Sequence, residues 1–480
     1  MNDWECVVGL EVHIQLATGS KLFSGASTAF GAKPNANACM IDVALPGVLP
    51  VCNAEAVRMA VTFGLAIGAK INMQSIFARK NYFYPDLPKG YQISQYEIPI
   101  VGHGAIDTVV DGVVRRVGVT RAHLEEDAGK SLHEGFGASS GIDLNRSGTP
   151  LLEIVSDPDI RSAAQAADYM RRLHRLVTYL EICDGNMQEG SMRCDANVSV
   201  RRRGVEKMGT RTELKNINSF RFVEKGIVCE TNRQIGILEN GGAIVQETRN
   251  YDPVKDITRP MRSKEDAHDY RYFPDPDLPP LVLTKRYVES IRGALPELPA
   301  AKKERFARVY GLNDEEADRL TQSKSVAQYF ETALSHGAEP KNTANWILVE
   351  LSSLMNKSSV GIEESLVDAD TLGQLVAKID EGAISRHNGK IILGTIWHNP
   401  DRTIDDAIRS QGLEQSADDD QIVELVKRVI DKNPKQVEQY AGGNQKLLGF
   451  FVGQTLKLAQ GKADPKAVNE IIRRILDEDK

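Results

Sequence analysis

Residues 6–16, CVVGLEVHIQL, alternate between apolar and polar side chains with a period of two. This alternation is typical of a β-strand with one buried and one polar face. The polar face carries Glu11 and His13, whose side chains point the same way about 7 Å apart along the strand. Such a pair can hold one divalent cation, although a solvated Glu and His are the commoner outcome. The apolar face carries Val8, Leu10, Val12, Ile14 and Leu16.

The same alternation recurs through the first 290 residues. Residues 192–200, MRCDANVSV, read as a second half-buried strand, and residues 105–127 predict a hairpin that turns at Asp111-Gly112. Two helical stretches interrupt the strands, at 55–68 and 162–180. We therefore predict an α+β fold in which residues 1–290 form a domain on an antiparallel β-sheet.

A proline-dense stretch, YFPDPDLPPLVL at residues 272–283, predicts extended chain at the end of this domain. Beyond it the pattern becomes helical, and Asn313 followed by Glu316 indicates a capping box at a helix start. We predict a helical domain over residues 291–404 and a small all-helical tail over residues 405–480.

Length and composition restrict the class of protein. A chain of 480 residues is too long to fold around one hydrophobic core, so about three domains are expected. The net charge of −7 gives no support to nonspecific binding of long nucleic acid, yet a structured RNA can still be held by local basic patches. No apolar run reaches the length of a membrane span and the N-terminus carries two early acids, which favours a cytoplasmic protein without a membrane partner.

Carboxylates recur on the polar or mixed faces of five predicted strands. In IDLNRSGTPLLEIVSDPD, residues 142–159, Glu153 interrupts an apolar run, and a buried carboxylate needs a partner, a metal or a catalytic role. In HLEEDAGK, residues 123–130, alternation turns Glu125 and Glu126 to opposite sides unless a bulge intervenes. Oxygen ligands with one imidazole favour Mg²⁺ over zinc or copper. The remaining acids, with a lysine beside them, are Asp195, Glu213 and Lys215.

The common phosphate-binding motifs are missing from the sequence. The triplet Gly129-Lys130-Ser131 lacks the first glycine of a P-loop, and no GxGxxG follows a strand. The candidates for binding ATP are the cations and aromatic residues of RKNYFYPDLPKGYQISQ, residues 79–95. Aromatic side chains can stack on a base, and cations can hold a phosphate. The alternative is a loop whose tyrosines cap the core. No serine or cysteine stands in a setting typical of a nucleophile.

The tail contains GGNQKLLGFFVGQTLK, residues 442–457. As a helix this segment places Gly449 and Gly453 on one face between Lys446 and Lys457. Two glycines let a sugar-phosphate backbone approach closely, but GxxxG faces also pack helix against helix. Further positive charge nearby favours RNA binding over helix packing. This charge comes from Lys462, Lys466, Arg473 and Arg474.

Over essentially its whole length the chain resembles the B subunits of the aspartyl/glutamyl-tRNA amidotransferases. The resemblance implies a cradle-shaped N-terminal domain, a helical domain and a YqeY-type helical tail, in a heterotrimer with a glutaminase A subunit and a small C subunit. The segments that carry it are, in chain order, VGLEVHIQL, RKNYFYPDLPKGYQISQ, HLEEDAGKS, IDLNRSGTPLLEIVSDPDIR, EGSMRCDANVS, ELKNINSF, DYRYFPDPDLPPL and GGNQKLLGFFVGQTLK.

The resemblance also implies an activity. The B subunit would use ATP and Mg²⁺ to phosphorylate the side-chain carboxylate of misacylated Glu-tRNA(Gln) or Asp-tRNA(Asn), and ammonia from the A subunit would then displace the phosphate. Some family members bind zinc through cysteine pairs near the LPGVLP segment. Here only Cys39 and Cys52 stand near that segment, so zinc is not expected.

Residues and resemblance together define four sets of candidate residues. Two other functions are alternatives to the amidotransferase reaction. One is a scaffold that docks charged tRNA for another subunit, and the other is a small-molecule ligase, in which the basic tail would have no function. The expected catalytic residues are Glu11, Glu125, Glu153, Lys80 and Lys215; the nucleotide-binding residues Arg79, Lys80, Tyr82, Tyr84, Lys89 and Ser94; the metal ligands Glu11, His13, Glu126, Asp195 and Glu213; and the tRNA-binding residues Lys446, Gly449, Gly453, Lys457, Lys462, Lys466, Arg473 and Arg474.

Overall fold

The computed structural model describes residues 3–133, 139–261, 269–411, 419–442, 444, 447–459, 463 and 465–478. The chain divides into two compact units, Met1–Leu298 and Pro299–Lys480. The first unit is built on a large sheet with packed helices, and the described part of the second is helical. The predicted α+β class is therefore confirmed.

The described residues of the first unit form fifteen strands. They are β1 (Trp4–Gln15), β2 (Gln74–Ser75), β3 (Phe77–Asn81), β4 (Tyr91–Gln95), β5 (Gly104–Val110), β6 (Val113–Glu126), β7 (Lys130–Leu132), β8 (Gly141–Asp143), β9 (Pro150–Ser156), β10 (Met192–Arg202), β11 (Thr212–Lys215), β12 (Thr248–Asp252), β13 (Ile257–Pro260), β14 (Phe273–Pro274) and β15 (Leu281–Val282).

Eleven of these strands form one sheet with β1 near its centre, in the order β13-β12-β11-β10-β1-β9-β6-β4-β3-β14, and β5 pairs with β6 beside this path. The pairings are antiparallel as predicted, except that β11 and β12 run parallel. Two small sheets pair β15 with β2 and β7 with β8.

Alternation along β1 decides which side of the sheet is core. Val8, Leu10 and Val12 are at most 1% exposed, whereas Glu11 and His13 are less buried and point to the other face. The predicted hairpin is also confirmed, since β5 and β6 are joined at Asp111 and Gly112. Their φ angles of 52° and 75° are the left-handed pair that a tight two-residue hairpin turn requires.

Helices of the first unit cover the apolar side of the sheet. Helix α1 (Ala54–Ala66) packs against β6, α2 (Ala163–Tyr179) against β5, and α3 (Phe220–Glu239) against β10. The three start at Asn53, Ser162 and Ser219, whose side chains accept a backbone N–H of the first turn. Their apolar sides join the inward residues of β1 in one core, and α4 (Lys285–Ala294) follows after β15.

The second unit contains two separate hydrophobic cores among its described residues. The predicted capping box at Asn313 and Glu316 is confirmed at the start of a helix. The helices are α5 (Pro299–Tyr310), α6 (Asp314–Leu320), α7 (Lys324–Leu334), α8 (Pro340–Asn345), α9 (Ser352–Ser358), α10 (Ala369–Asp380), α11 (Arg386–His398), α12 (Ile404–Gln411), α13 (Asp419–Lys432), α14 (Pro434–Ala441), α15 (Leu447–Leu458) and α16 (Pro465–Glu478), with a π-helical turn at Trp346–Leu351 and a 3₁₀ turn at Ile362–Glu364.

The domain limits differ by a few residues from those expected. The first unit ends at Leu298 instead of residue 290, because α4 still packs on α1. Ile404 and Ala407 of α12 belong to the first of the two helical cores, and the second begins at Ile422, so the change of core falls after α12 instead of at residue 404. None of the described helices combines the length and apolar character that a bilayer crossing requires.

Candidate active site

Three neighbouring strands place a row of ionisable side chains on the polar face of the sheet. His13 on β1 lies opposite Glu153 on β9, and Glu153 lies opposite His123 on β6. Directly opposed residues of paired strands point to the same face. Glu125, two residues after His123, points the same way. The register of β1, β9 and β6 therefore brings four ionisable groups together.

Glu153 stands between the two imidazoles. Its Oε2 is 3.3 Å from His13 Nε2 and 3.4 Å from His123 Nε2. Glu125 closes the group, with Oε1 at 3.3 Å from His13 Nε2 and Oε2 at 3.8 Å from His123 Nε2. Only 4% of the Glu125 side chain and 11% of the Glu153 side chain are exposed. Glu153 thus interrupts the apolar run of β9 because it faces this cluster while its neighbours face the core.

Burial and charge act in opposite directions on these groups. Burial lowers the pKa of His13 and His123, but the carboxylates beside them outweigh it and raise both pKa values. Burial raises the pKa of Glu125 and Glu153, but the imidazoles outweigh it and lower both pKa values. Glu11 differs, because burial and the negative charge of Glu153 together raise its pKa. Three carboxylates face two imidazoles, so negative charge is in excess. This excess, together with burial, raises the pKa of Glu11.

The chemistry of the donor set fits a divalent cation. Glu11, His13 and Glu153 offer ligand atoms within 4.8 Å of one another, and so do His123, Glu125 and Glu153. A dication would replace the imidazole protons and remove the repulsion that raises the pKa of Glu11. Each set contains two carboxylates and one imidazole, a donor set that suits Mg²⁺.

Three members of the cluster, His13, Glu125 and Glu153, line a cavity of about 810 Å³ together with Lys80, Tyr82 and Lys215. Lys215 Nζ is already paired, at 2.5 Å from Asp195 and 3.1 Å from Glu213. Lys80 has no carboxylate partner within the part of the chain that the structure describes, and its Nζ lies 4.9 Å from the Tyr270 ring centroid and 5.8 Å from that of Tyr82. An anion entering the cavity can therefore meet Lys80 without displacing a carboxylate.

The structure does not bring every expected nucleotide-binding residue to the cavity. Arg79 is held by Asp275 and Asp277, each at 2.9 Å. Tyr84 is 63% exposed and lines a separate small cavity. Ser94 reaches the cluster, because its hydroxyl donates to Glu125 at 3.3 Å. Of the aromatics, Tyr82 lines the main cavity.

Three expected metal ligands lie outside the groups that converge. Glu126 points away from Glu125, as alternation predicted, where it pairs with Lys89 and accepts the backbone N–H of Ile93 at 2.8 Å. Glu213 lines a neighbouring cavity of about 490 Å³ that it shares with Glu11. Asp195 lines the main cavity but is occupied by Lys215.

The candidate site residues expected from the sequence leave out one member of the cluster and several residues of the cavity. His123 was detectable, because it stands two residues before Glu125 on the same strand face. Asp127 and Arg146 were not, since their association depends on loops, whereas the position of Arg193 on the polar face of β10, two residues before Asp195, follows from strand alternation. Arg193 donates to Asp127 Oδ2 at 3.1 Å, and Arg146 Nε is 3.6 Å from the same oxygen.

In the tail, Gly449, Gly453 and Lys457 of α15 are exposed, as expected from the helical pattern. A Cβ added at either glycine would meet nothing within 4 Å, so no described segment packs on this face. Arg473 and Arg474 of α16 are also exposed. Lys446 and Lys462 lie outside the described residues, and the side chain of Lys466 is likewise not described.

Comparison with known proteins assigns the chain to a family. The family model of the GatB/GatE catalytic domain matches residues 6–289. A second family model, the YqeY-type GatB domain, matches residues 328–476. The chain is 59% identical over 476 residues to the B subunit of the aspartyl/glutamyl-tRNA(Asn/Gln) amidotransferase from Thioalkalivibrio sulfidiphilus, covering 99% of this chain and 100% of the relative. The chain belongs to the family of amidotransferase B subunits.

Two further members of this family show the same extent of similarity. The B subunit from Alkalilimnicola ehrlichii is 57% identical over 477 residues, covering 99% of this chain and 100% of the relative. That from Pseudomonas fluorescens strain Pf0-1 is 54% identical over 479 residues, covering 99% of each. The catalytic-domain match spans every member of the carboxylate–imidazole cluster, and the second match spans the glycine face of α15.

Proposed function

We propose that this chain is the component of a tRNA-dependent amidotransferase that activates the amino acid. The side-chain carboxylate of Glu-tRNA(Gln) or Asp-tRNA(Asn) attacks the γ-phosphorus of ATP, and ADP leaves. Ammonia then attacks the acyl carbon of the resulting acyl phosphate, and phosphate leaves to give the amide. The family assignment supports the reaction class, and the cavity supports this chain as the place of activation.

The observation that carries the proposal is the cluster around Glu153. A scaffold that only docks tRNA does not need buried carboxylates and imidazoles that converge beside a cavity, because taking each charge out of water costs several kcal/mol and their mutual pairing mainly offsets that cost. Glu11, His13 and Glu153, or His123, Glu125 and Glu153, would hold a divalent cation. Such an ion supplies neutralisation of the charge on a transferring phosphoryl group.

Lys80 is proposed to bind a phosphate of ATP. It lines the cavity, and the residues described here give it ring contacts but no carboxylate. Lys215 is proposed to position Asp195 and Glu213, because its ammonium joins the two carboxylates. Arg79 is proposed to brace β3 through Asp275, and to act on the nucleotide only through that strand.

A partner is proposed to supply the ammonia. Burial raises the pKa of Cys6, Cys52, Cys183 and Cys194, which keeps these thiols protonated and poorly nucleophilic. This supports the association with a glutaminase A subunit and a small C subunit that the family resemblance implies.

The tail is proposed to contact tRNA. The open glycine face of α15, with Lys457 at its end, can be approached closely by a phosphate backbone. Arg473 and Arg474 extend the exposed charge on α16.

The test uses the complex of this chain with its glutaminase and small subunits. With ATP, Mg²⁺, charged tRNA and ammonium chloride in place of glutamine, the wild-type complex should form amide, and Glu153→Gln should form none. Glutamine hydrolysis by the partner should persist in both. The matched control Glu206→Gln changes an exposed loop residue and should behave as wild type. Amide formation without ATP, or undiminished amide formation by Glu153→Gln, contradicts the proposal.

A further inference from the structure

Four tyrosines form a continuous series of ring contacts that reaches the main cavity at Tyr82, whose ring also meets the exposed Tyr84 at 5.9 Å. Tyr96 stacks on Tyr272 with ring centroids 4.2 Å apart and an interplanar angle of 6°. Tyr272 meets Tyr270 at 6.0 Å, and Tyr270 meets Tyr82 at 6.1 Å, both edge to face. We call this series the tyrosine ladder. Its outer ring, Tyr96, is 53% exposed, and its inner ring, Tyr82, lines the cavity.

Neighbouring strands hold the ladder in place. Tyr96 follows β4 directly and stands two residues after Ser94, which contacts Glu125. Tyr270 and Tyr272 come just before β14, which pairs with β3, and Tyr82 comes just after β3. Burial and the charges of Glu125 and Glu153 raise the pKa of Tyr272, so its ring lies within the field of the cluster and its phenol stays neutral.

Cations accompany the rings. Lys80 Nζ lies 4.9 Å from the Tyr270 centroid, at the point where the ladder reaches the cavity. Arg271, between two ladder tyrosines, is exposed, lies 3.7 Å from the also exposed carboxylate of Asp269, and has a φ of 45°, a left-handed conformation that is unfavourable for a residue with a side chain. Strained residues of this kind concentrate at binding sites. The surface therefore combines aromatic faces with positive charge, the combination that binds single-stranded nucleic acid.

We propose that the tyrosine ladder is a stacking platform for the single-stranded 3′ end of the charged tRNA, and that it leads the aminoacyl group to the cavity. This inference rests on the proposed function. The ladder extends over four rings, farther than the single adenine of ATP requires, whereas successive unpaired bases stack on successive aromatic side chains. It also connects an exposed ring, Tyr96, to a ring that lines the cavity, Tyr82, as the path of a chain terminus must.

The binding test uses the three-subunit complex and uncharged tRNA that carries 2-aminopurine at its 3′-terminal base. Wild type should quench the fluorophore on binding, and Tyr96→Leu should not. Tyr96→Leu should weaken binding about tenfold, the effect of losing one base stack. A tRNA that lacks its last three nucleotides should bind wild type and Tyr96→Leu equally. Tyr96→Phe keeps the ring and should restore quenching.

The kinetic test separates this inference from the proposed function. Tyr96→Leu and Tyr272→Leu should raise the KM for charged tRNA about tenfold while the KM for ATP is unchanged. Phe30→Leu removes an exposed ring outside the ladder, 78% exposed against 53% for Tyr96, and serves as control. If Tyr272→Leu unfolds, the exposed position of Tyr96 still carries the test.

Three outcomes overturn the inference. An unchanged KM for tRNA in Tyr96→Leu means that the rings only brace β4 against β14. A raised KM for ATP instead means that they hold adenine. Quenching that survives in Tyr96→Leu means that the 3′ end binds elsewhere. Failure of the proposed function differs from all three, because the wild-type complex would then show no tRNA-dependent use of ATP.

Discussion

The sheet cavity and the tail surface arrange charge in opposite ways. In the cavity, the side chains of Glu125 and Glu153 are 4% and 11% exposed, and each lies beside the imidazole of His13. On the tail, Lys457, Arg473 and Arg474 are exposed on helices whose other sides form a small core. Buried, paired groups are fixed in geometry and insensitive to salt, whereas exposed cations supply attraction that salt screens. We infer that the buried groups of the cavity serve the chemical step, and that the exposed cations of the tail attract a polyanion.

The largest effect is expected at the centre of the cluster. His13→Ala should lower tRNA-dependent ATP hydrolysis at least about 100-fold, because it removes a ligand atom that lies beside both Glu125 and Glu153. Hydrolysis is measured by phosphate release in the three-subunit complex. His103→Ala, at a histidine whose side chain is 71% exposed, is the control. Comparable phosphate release from both variants would mean that the cluster is not the site of activation.

A buried ion pair outside the cavity should affect stability instead of activity. Lys21 and Asp42 are paired at 3.0 Å with almost no exposure. Lys21→Met should lower the free energy of unfolding by about 3 kcal/mol, because Asp42 is left charged and buried. Urea unfolding measures this, with exposed Lys33→Met as control. Loss of ATP hydrolysis in Lys21→Met without loss of stability would contradict a purely structural role for this ion pair.

An intermediate effect is expected at Lys80. Lys80→Met should lower kcat/KM for ATP about tenfold, because one charged hydrogen bond to a phosphate is lost. Steady-state ATP hydrolysis with saturating charged tRNA is the measurement. Exposed Lys70→Met is the matched control. A change confined to the KM for tRNA would assign Lys80 to the nucleic acid.

The smallest effect is expected on the tail. Lys457→Glu combined with Arg473→Glu should weaken tRNA binding several-fold at low salt and reduce the slope of log affinity against log salt by about one for each phosphate that is no longer neutralised. A salt titration measures both, with Lys357→Glu on α9 as control. Glutamine hydrolysis should not change. An unaltered titration would make the glycine face a surface for protein packing.

Local pattern predicted the elements of the fold better than their associations. The alternation of Val8, Leu10 and Val12 and the Asp111-Gly112 turn follow from nearest neighbours, and both are confirmed. The parallel pairing of β11 with β12 depends on the long connection through α3, so no local pattern indicates it.

The cavity was predictable to the extent that strand faces are. Glu11, His13, Glu125 and Glu153 converge because each stands on the polar side of its strand. The separation of paired from unpaired cations was not predictable. Arg79 and Lys80 are adjacent, and only the contact of Arg79 with Asp275, 196 residues away, leaves Lys80 as the one without a carboxylate among the described residues.

Transfer of an isotope distinguishes activation by phosphorylation from other routes to the amide. Glu-tRNA(Gln) labelled with ¹⁸O in the side-chain carboxylate is converted by the wild-type complex with ATP and ammonium chloride, and the released phosphate is analysed by mass spectrometry. We expect one labelled oxygen in each phosphate, because a carboxylate oxygen leaves with the phosphoryl group, and no labelled phosphate from Glu153→Gln. Amide formation accompanied by unlabelled phosphate would contradict activation by phosphorylation.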